Sequence, residues 1–533
     1  MNPRHAQLLR VVAATAATSL FPSSLLAQVG QTWTHAAADP QRSGAVRTAF
    51  PSLAAPLWTR GLDSAGRVIT FSPRGGVAVG LRFVYAAGMV QINAAASWRL
   101  YALDRRDGTI AFEVPIDTPL FESIVTPALD QTSRTVLVAS GSTLLAIDAD
   151  SPTVRWSVAL NNPVVNASPL VVRDWRSPAR VFITDYDGFG DSASLYAIAL
   201  DPHASSPASA AAAPGDILWS VPIGASSGNS PAYDPRRASV LTAAVGLYAS
   251  GPGQVFAFDA FAPGPPALPP APRWVFDNPQ PFGFFGGVGF DLASDRVLVA
   301  SYAFFGGLNS GNIAALAPAS GAPLWSASSN RSAAVPVALP PVAPGPARLA
   351  LATGLAGFGT LPSLQIFGTG GAPIWSSHQR TWTDANANAQ IDAGEYVPAA
   401  LWNTQPLFSS SSQRLAVVGS DNVLRILDVA SLDQSTSPFV VVDSAPGITG
   451  SPALAGSNLY AISTAGLRAF GSAPLRPDVN ADGVVSLEDL YAWEQSRGQR
   501  DVNADGTVNA ADRDALTNLL RADETAELTE GRR

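Results

Sequence analysis

The chain has 533 residues, 47% of them hydrophobic and only 14% charged, and its 45 Gly and 44 Pro favour many short strands and turns over long helices. A net charge of −8 argues against nucleic acid or an anionic membrane surface as the main partner. Cys and Lys are both absent, which excludes thiolate nucleophiles, Cys-based zinc sites, disulfides, Schiff-base chemistry and the Gly-Lys-Ser/Thr phosphate loop.

Arg4 and Arg10 precede or open an apolar, small-residue run from Val11 to Leu26 that Pro22 interrupts. Leu25-Leu26-Ala27 offers a cleavage site, so residues 1–27 read as a secretory signal cleaved after Ala27 rather than a membrane anchor. Its removal takes away two arginines and no acid. No later stretch stays apolar for about 18 residues, so no transmembrane segment is expected in the mature chain. The expected location is secreted or periplasmic.

Trp33 to Gly44, a Trp-led polar stretch, comes ahead of the first repeat. The repeat itself is clearest at Leu100–Val114, LYALDRRDGTIAFEV: an apolar run into Asp, a turn, then a short strand with an aromatic. Related phrases begin at Leu144, Leu195, Val255, Ile313, Leu364, Leu424 and Leu467, at a period that suits propeller blades rather than a helical solenoid. Ahead of most of them stands a small-residue/Pro pair and a β-rich run: Ser72-Pro73, Thr126-Pro127, Ser168-Pro169, Ser230-Pro231, Ser451-Pro452 and, more loosely, Gln405-Pro406. Proline lacks the N–H for a ladder and suits the start of an inner strand. Four antiparallel strands per unit make residues 28–474 an all-β propeller of about eight blades. Seven is the alternative, because the units near Gly287 and Val335 lack the Ser-Pro pair. Leu57-Trp58-Thr59 matches the later Leu-Trp-Ser strands, while the last repeat has no Trp strand. Trp58 is therefore expected on the outer strand of the last blade, closing the ring. Trp156, Trp219, Trp274, Trp325 and Trp375 are expected to dock between blades, and Asp104, Asp148, Asp259 and Asp428 to serve turns.

An insertion after the Trp375 strand has calcium-loop spacing. Asp384, Asn386, Asn388, Asp392 and Glu395 fall at positions 1, 3, 5, 9 and 12, with Gln390 at the backbone-carbonyl position and Ala389 where Gly is usual. Residues 475–521 carry two more complete loops. The first sets Asp478, Asn480, Asp482, Val484, Ser486 and Asp489 at positions 1, 3, 5, 7, 9 and 12; the second repeats this with Asp501, Asn503, Asp505, Thr507, Asn509 and Asp512. Each leads into a short helix. One is expected to bury Leu487, Leu490, Tyr491 and Trp493, the other Ala511, Ala515, Leu516, Leu519 and Leu520. Calcium is the implied cofactor of both, and so small a domain should need it to fold. The charged tail 522–533 is expected to be disordered.

The LYALD phrase, its Asp/Gly turn and the Leu-Trp-Ser strand together resemble the pyrroloquinoline-quinone-like (PQQ-like, quinoprotein-like) propeller repeat over Trp33 to Pro474. The Trp33–Gly44 stretch resembles the segment that precedes the first blade in such proteins. The duplicated Asp-x-Asn-x-Asp-Gly loops resemble a type I dockerin, over about Asp478 to Arg521. That likeness implies a cohesin-like or other extracellular protein partner. Leu487-Glu488 and Ala510-Ala511 depart from the usual partner-reading pair, and the offset between loops is short.

The quinoprotein likeness raises the question of an enzyme. Its chemistry needs the quinone in the axial channel, a calcium beside it and an Asp general base. No motif here supports the quinone, and the adjacent cysteines of many alcohol-oxidising members are missing. His35, His203 and His378 read as solvated rather than catalytic. Gly224–Gly228 spells Gly-x-Ser-x-Gly, but with no helix to follow it. The expectation is a non-catalytic binding or scaffold propeller of unassigned ligand. The rivals are a PQQ-dependent alcohol or sugar dehydrogenase and a dockerin-delivered polysaccharide-processing protein.

Overall fold

Each repeated phrase folds as the outer half of a four-stranded blade. The computed structural model describes residues 32–530 except 122, 189, 206–209, 247–251, 266, 305–306, 308, 342–345, 356–359, 434–437, 473–474, 476, 481, 483–484 and 504–506. The expected signal, residues 1–27, lies outside the described residues. The chain divides into a unit spanning Thr32–Ala473 and a C-terminal unit from Pro474 onward. Among the described residues no helix is long and apolar enough to cross a membrane.

The larger unit is an eight-bladed β-propeller. Blade 2 shows the pattern: Ala128–Asp130, Thr135–Ser140, Thr143–Asp148 and Val154–Ala159 pair antiparallel in sequence order from the inside out. Its second strand is buried throughout, as a strand covered on both faces should be, whereas the outer strand leaves most of its side chains exposed. Blades 3 to 7 repeat this over 170–224, 232–277, 289–329, 337–376 and 407–446. The units lacking a Ser-Pro pair still form inner strands, Gly289–Asp291 and Val337–Leu339, which decides eight blades over seven. In blade 1 the inner strand is broken into Thr70–Phe71 and Ala78–Val79, and Ser72-Pro73 lies in the break rather than at a strand start.

Blade 8 takes Ala453–Ala455, Asn458–Ser463 and Gly466–Phe470 from the end of the propeller and Pro56–Arg60 from its beginning. Trp58 thus sits on the closing outer strand, opposite Ala469. Its indole Nε1 donates to the Arg105 carbonyl of blade 1 at 2.8 Å, and Arg60 Nε donates to the Gly108 carbonyl at 2.7 Å. Arg105, itself buried, donates back to Tyr460 Oη and the Ala455 carbonyl of blade 8. The same docking recurs around the ring: Trp156 lies on Gly215, Trp274 on Gly321 and Trp325 on Gly371 of the following blade. Gly108 shows why Gly is required: at φ +70° its missing Cβ would lie 2.6 Å from Trp58 Cε3. The turn aspartates do turn work. Asp104, Asp148, Asp259 and Asp428 each accept the backbone N–H two residues on, at 2.9–3.0 Å.

The segment after Thr32 does not simply precede the ring; it runs around its inside. Trp33 exchanges two backbone hydrogen bonds with Val79 of blade 1. The carbonyls of Thr34, Pro40, Gln41 and Gly44 then accept the N–H of Leu129, Tyr233, Phe290 and Phe408, on blades 2, 4, 5 and 7. His35 Nε2 accepts from Val171 N on blade 3 at 3.0 Å. Ala45–Val46 finally pairs parallel with blade 7. An inner strand of a propeller presents unpaired backbone groups to the channel; this segment satisfies them blade by blade.

Among the described residues the C-terminal unit contains two helices. A one-turn helix in the propeller insertion, Ser377–Arg380, is α1; the C-terminal pair are α2, Leu487–Glu494, and α3, Ala510–Glu530. Two expectations are corrected here. Leu487 and Tyr491, expected inward, are 72% and 64% exposed; Trp493 is buried and Leu490 half-buried as expected, and α2 also buries Asp489 and Ala492. The inward face is set by the Asp489 carboxylate, which the preceding loop wraps. In α3, Leu516 is buried, Ala515, Leu519 and Leu520 are half-buried, and Ala511 is exposed. The helix also continues to Glu530, through most of the tail expected to be disordered, because Ala, Leu and Glu are strong helix formers.

Candidate functional sites

A pocket of about 430 Å³ lies on the propeller axis, walled by the loops that lead into the inner strands. Every blade contributes: Gly76, Thr126, Ser168, Ser230, Val335 and Pro452 among others, with Phe285 and Gln405 completing the circuit. The residue before each Pro explains itself here. Thr126 Oγ1 accepts Gly76 N–H, Ser230 Oγ accepts Ser168 N–H, Ser451 Oγ accepts Gln405 N–H and Gln405 Oε1 accepts Val335 N–H, at 2.9–3.1 Å. The small-residue/Pro pairs therefore tie neighbouring blades into a belt around the pocket.

The pocket is also lined by Trp33, Ala36, Ala37 and Arg42 of the circling segment. Arg42 is buried and donates four bonds to carbonyls: Nε to Pro231, Nη1 to Ala36, and Nη2 to Ser168 and Pro169, at 3.0–3.2 Å. Burial lowers its guanidinium to about 10, with the Asp39 charge opposing that shift, so it stays protonated at neutral pH. Burial also lowers His35 to about 3, and the Arg42 charge adds to the effect. His35 is therefore neutral, which its acceptor role toward Val171 N–H requires.

One wall is aromatic. Phe285 stacks on Tyr302 with centroids 4.3 Å apart; Trp402 meets Tyr302 edge-on at 5.6 Å. The buried Arg331 guanidinium stands 4.4 Å from the Tyr302 ring centre and 5.4 Å from that of Trp402. Opposite in character is Arg74, half-buried, whose Nη1 donates to the Thr449 carbonyl at 3.1 Å. No carboxylate lines the pocket among the described residues. The donor set does not fit the calcium that accompanies a quinone, which needs acidic oxygen ligands, nor does it offer an Asp base.

The expectation of solvated histidines is corrected. His35 and His378 are buried and His203 is half-buried. His378 Nδ1 lies 2.6 Å from Ser376 Oγ, and burial lowers the ring to about 4. Ser226 of the Gly-x-Ser-x-Gly string is buried where the chain leads into blade 4, its N–H bonded to the Asp187 carbonyl. Sequence reasoning did not single out Arg42, Arg74, Tyr302 or Trp402.

In the C-terminal unit the expected position-12 carboxylates are buried in the two loops in the same way. Asp489 accepts Val479 N–H and Asn480 N–H on Oδ1 and Ser486 N–H on Oδ2, at 2.6–3.1 Å. Asp512 accepts Asn503 N–H on Oδ1 and Asn509 N–H on Oδ2, at 3.0 and 2.8 Å. Ser486 and Asp489 form a capping box on α2. Asn480 Nδ2 donates to Asp482 at 2.9 Å, and Oδ1 of both Asp478 and Asp501 is shielded from water. Val484 and Asp505 lie outside the described residues, as do Gly483 and Gly506; Thr507 is described and Asn509 Oδ1 accepts Ala511 N–H. In the propeller insertion, Glu395 accepts the N–H of Ala385, Asn386 and Asp392, while Asp384 accepts those of Asn388 and Ala389. Asn386 and Asn388 donate their amides to Asp392, and Asn388 Oδ1 accepts Gln390 N–H. Ala389 takes φ +57°, the conformation for which Gly is usual. Among the described residues no three acidic or His side chains converge as a formed metal site.

Residues 42–204, less than a third of the chain, match the PQQ_2 family model, described as outer membrane protein assembly factor BamB. The fold is that of the PQQ-like propellers. Among solved structures, a europium-containing methanol dehydrogenase is similar at a TM-score of 0.54 and 11% identity, over 82% of this chain and 90% of that one. A quinohemoprotein alcohol dehydrogenase from Comamonas testosteroni is similar at 0.50 and 12%, over 86% and 80%. Likeness at such identity concerns the PQQ-like fold alone. No curated protein matches the chain.

Proposed function

We propose that the protein is a secreted or periplasmic, non-catalytic binding propeller, joined to an extracellular protein partner through a calcium-dependent, dockerin-like C-terminal unit. The observation that carries the binding reading is the axial pocket: enclosed by eight blades, aromatic on one wall, cationic on another, and without a carboxylate among its described lining residues. The duplicated cradle around Asp489 and Asp512 supports the calcium reading. In it, Asp478, Asn480, Asp482, Val484, Ser486 and Asp489 would hold one ion, and Asp501, Asn503, Asp505, Thr507, Asn509 and Asp512 the other. Calcium would there offset the mutual repulsion of the loop carboxylates. The insertion loop Asp384–Glu395 is proposed as a third, weaker site whose role is to stiffen its loop.

Calorimetric titration of the full chain tests the module. The reading expects two calcium ions bound well before a third, with binding lost in Asp489→Ala and Asp512→Ala. A chain that binds no calcium refutes the docking half. The second reading, a PQQ-dependent dehydrogenase, is favoured by the alcohol dehydrogenases among the structural neighbours.

A further inference from the structure

The polar groups of the axial pocket are mostly committed to the protein itself. Thr126, Ser230 and Gln405 hold the inter-blade belt. Asn166 Oδ1 accepts Ile124 N–H at 2.7 Å, and Arg42 spends its donors on carbonyls. One group stands apart. Arg74 makes a single hydrogen bond and pairs with no carboxylate among the described residues, so its remaining N–H groups and its charge face the pocket.

The mouth adds a strained aromatic. Phe121 is 68% exposed and adopts φ +56°, a conformation that costs a bulky residue about 1–2 kcal/mol. Its ring meets Tyr186 edge-on at 6.1 Å, and both line the pocket. The fold thus holds an apolar ring at the pocket in an unfavourable backbone state and in water.

We propose that the axial pocket binds a small aromatic carboxylate. Arg74 pairs with the carboxylate, and the rings of Trp402, Phe121 and Tyr186 flank the aromatic face. A sugar acid would present the same charge, but its many hydroxyls would meet side chains already bonded to the belt. The proposal rests on the binding reading above and names its ligand class.

The test is fluorescence and calorimetric titration of the full chain, since Trp33 and Trp402 line the pocket and report on it. The probes are 4-hydroxybenzoate and 4-hydroxycinnamate, against 4-hydroxybenzamide and galacturonate. The expected result is a preference of about tenfold or more for each hydroxy acid over the neutral amide. Arg74→Gln should abolish the acid preference and Arg74→Lys retain it. Equal binding of acid and amide by the wild-type protein overturns the proposal, and that comparison needs no variant. So does tighter binding of galacturonate, unchanged binding in Arg74→Gln, or no binding of any probe to about millimolar concentration. Such a failure with calcium binding intact overturns this inference alone, whereas quinone-dependent turnover overturns the reading beneath it.

Discussion

Acidification should loosen the propeller from within, through His35. The ring is buried, Nε2 accepts from Val171 N–H and Nδ1 faces Thr34 Oγ1, with Arg42 the nearest cation. Protonation would place a second charge beside Arg42 and convert the acceptor into a donor facing a donor. The folded state holds the group at about 3, against 6.5 for an unperturbed ring. Because the folded value is depressed, the unfolded chain binds the extra proton first. The stabilisation is complete above about pH 6.5 and is lost as pH falls toward about 3, at about 1.4 kcal/mol per unit. The loss is about 2 kcal/mol at about pH 5 and about 5 kcal/mol at the lower end. His35→Gln keeps an oxygen acceptor for Val171 N–H but cannot titrate. Guanidinium unfolding midpoints of wild type and variant, compared from about pH 7 to about pH 5, should diverge on acidification, the wild type falling further. Parallel pH profiles would refute the reasoning.

Three further outcomes follow from the same geometry. Arg42→Ala strands the carbonyls of Ser168, Pro169 and Pro231 inside the ring and should cost about 3–5 kcal/mol, read as a lower unfolding midpoint. Gly108→Ala drives a Cβ into Trp58 at a left-handed position and should cost about 2–4 kcal/mol, most of it by opening the blade 8–blade 1 junction. Protection of the Pro56–Arg60 amides from hydrogen exchange reports that opening. Chelation of calcium from the full chain should lower the helical circular dichroism contributed by α2 and α3 while the strand signal persists.

Much of the propeller was legible because a blade repeats. Strand length, the Asp-led turn and the docking Trp recur in the sequence, and the missing Trp strand after Leu467 placed Trp58 on blade 8. The circling segment was not legible in the same way. It bonds mostly through its backbone carbonyls to single residues on successive blades, which leaves no periodic side-chain pattern. Its sequence signal was a Trp-led polar stretch ahead of the first blade, which says nothing of a path around the inside of the ring. The pocket was hidden for a related reason: Arg74, Tyr302 and Trp402 belong to three different blades, so no linear spacing joins them. In the C-terminal unit, apolar spacing placed Leu487 and Tyr491 inward. The buried Asp489 shows that a carboxylate wrapped by loop N–H groups, rather than hydrophobicity, fixes which face of α2 points in.

Reconstitution bears most directly on the claim that this propeller binds without catalysing. The full chain, supplied with pyrroloquinoline quinone and calcium, is assayed for dye-linked oxidation of alcohols and sugars and for absorbance of protein-bound quinone. A pocket without acidic oxygens among its described lining residues predicts neither stoichiometric quinone binding nor turnover. Turnover that requires both quinone and calcium, with the quinone retained by the protein, would contradict it.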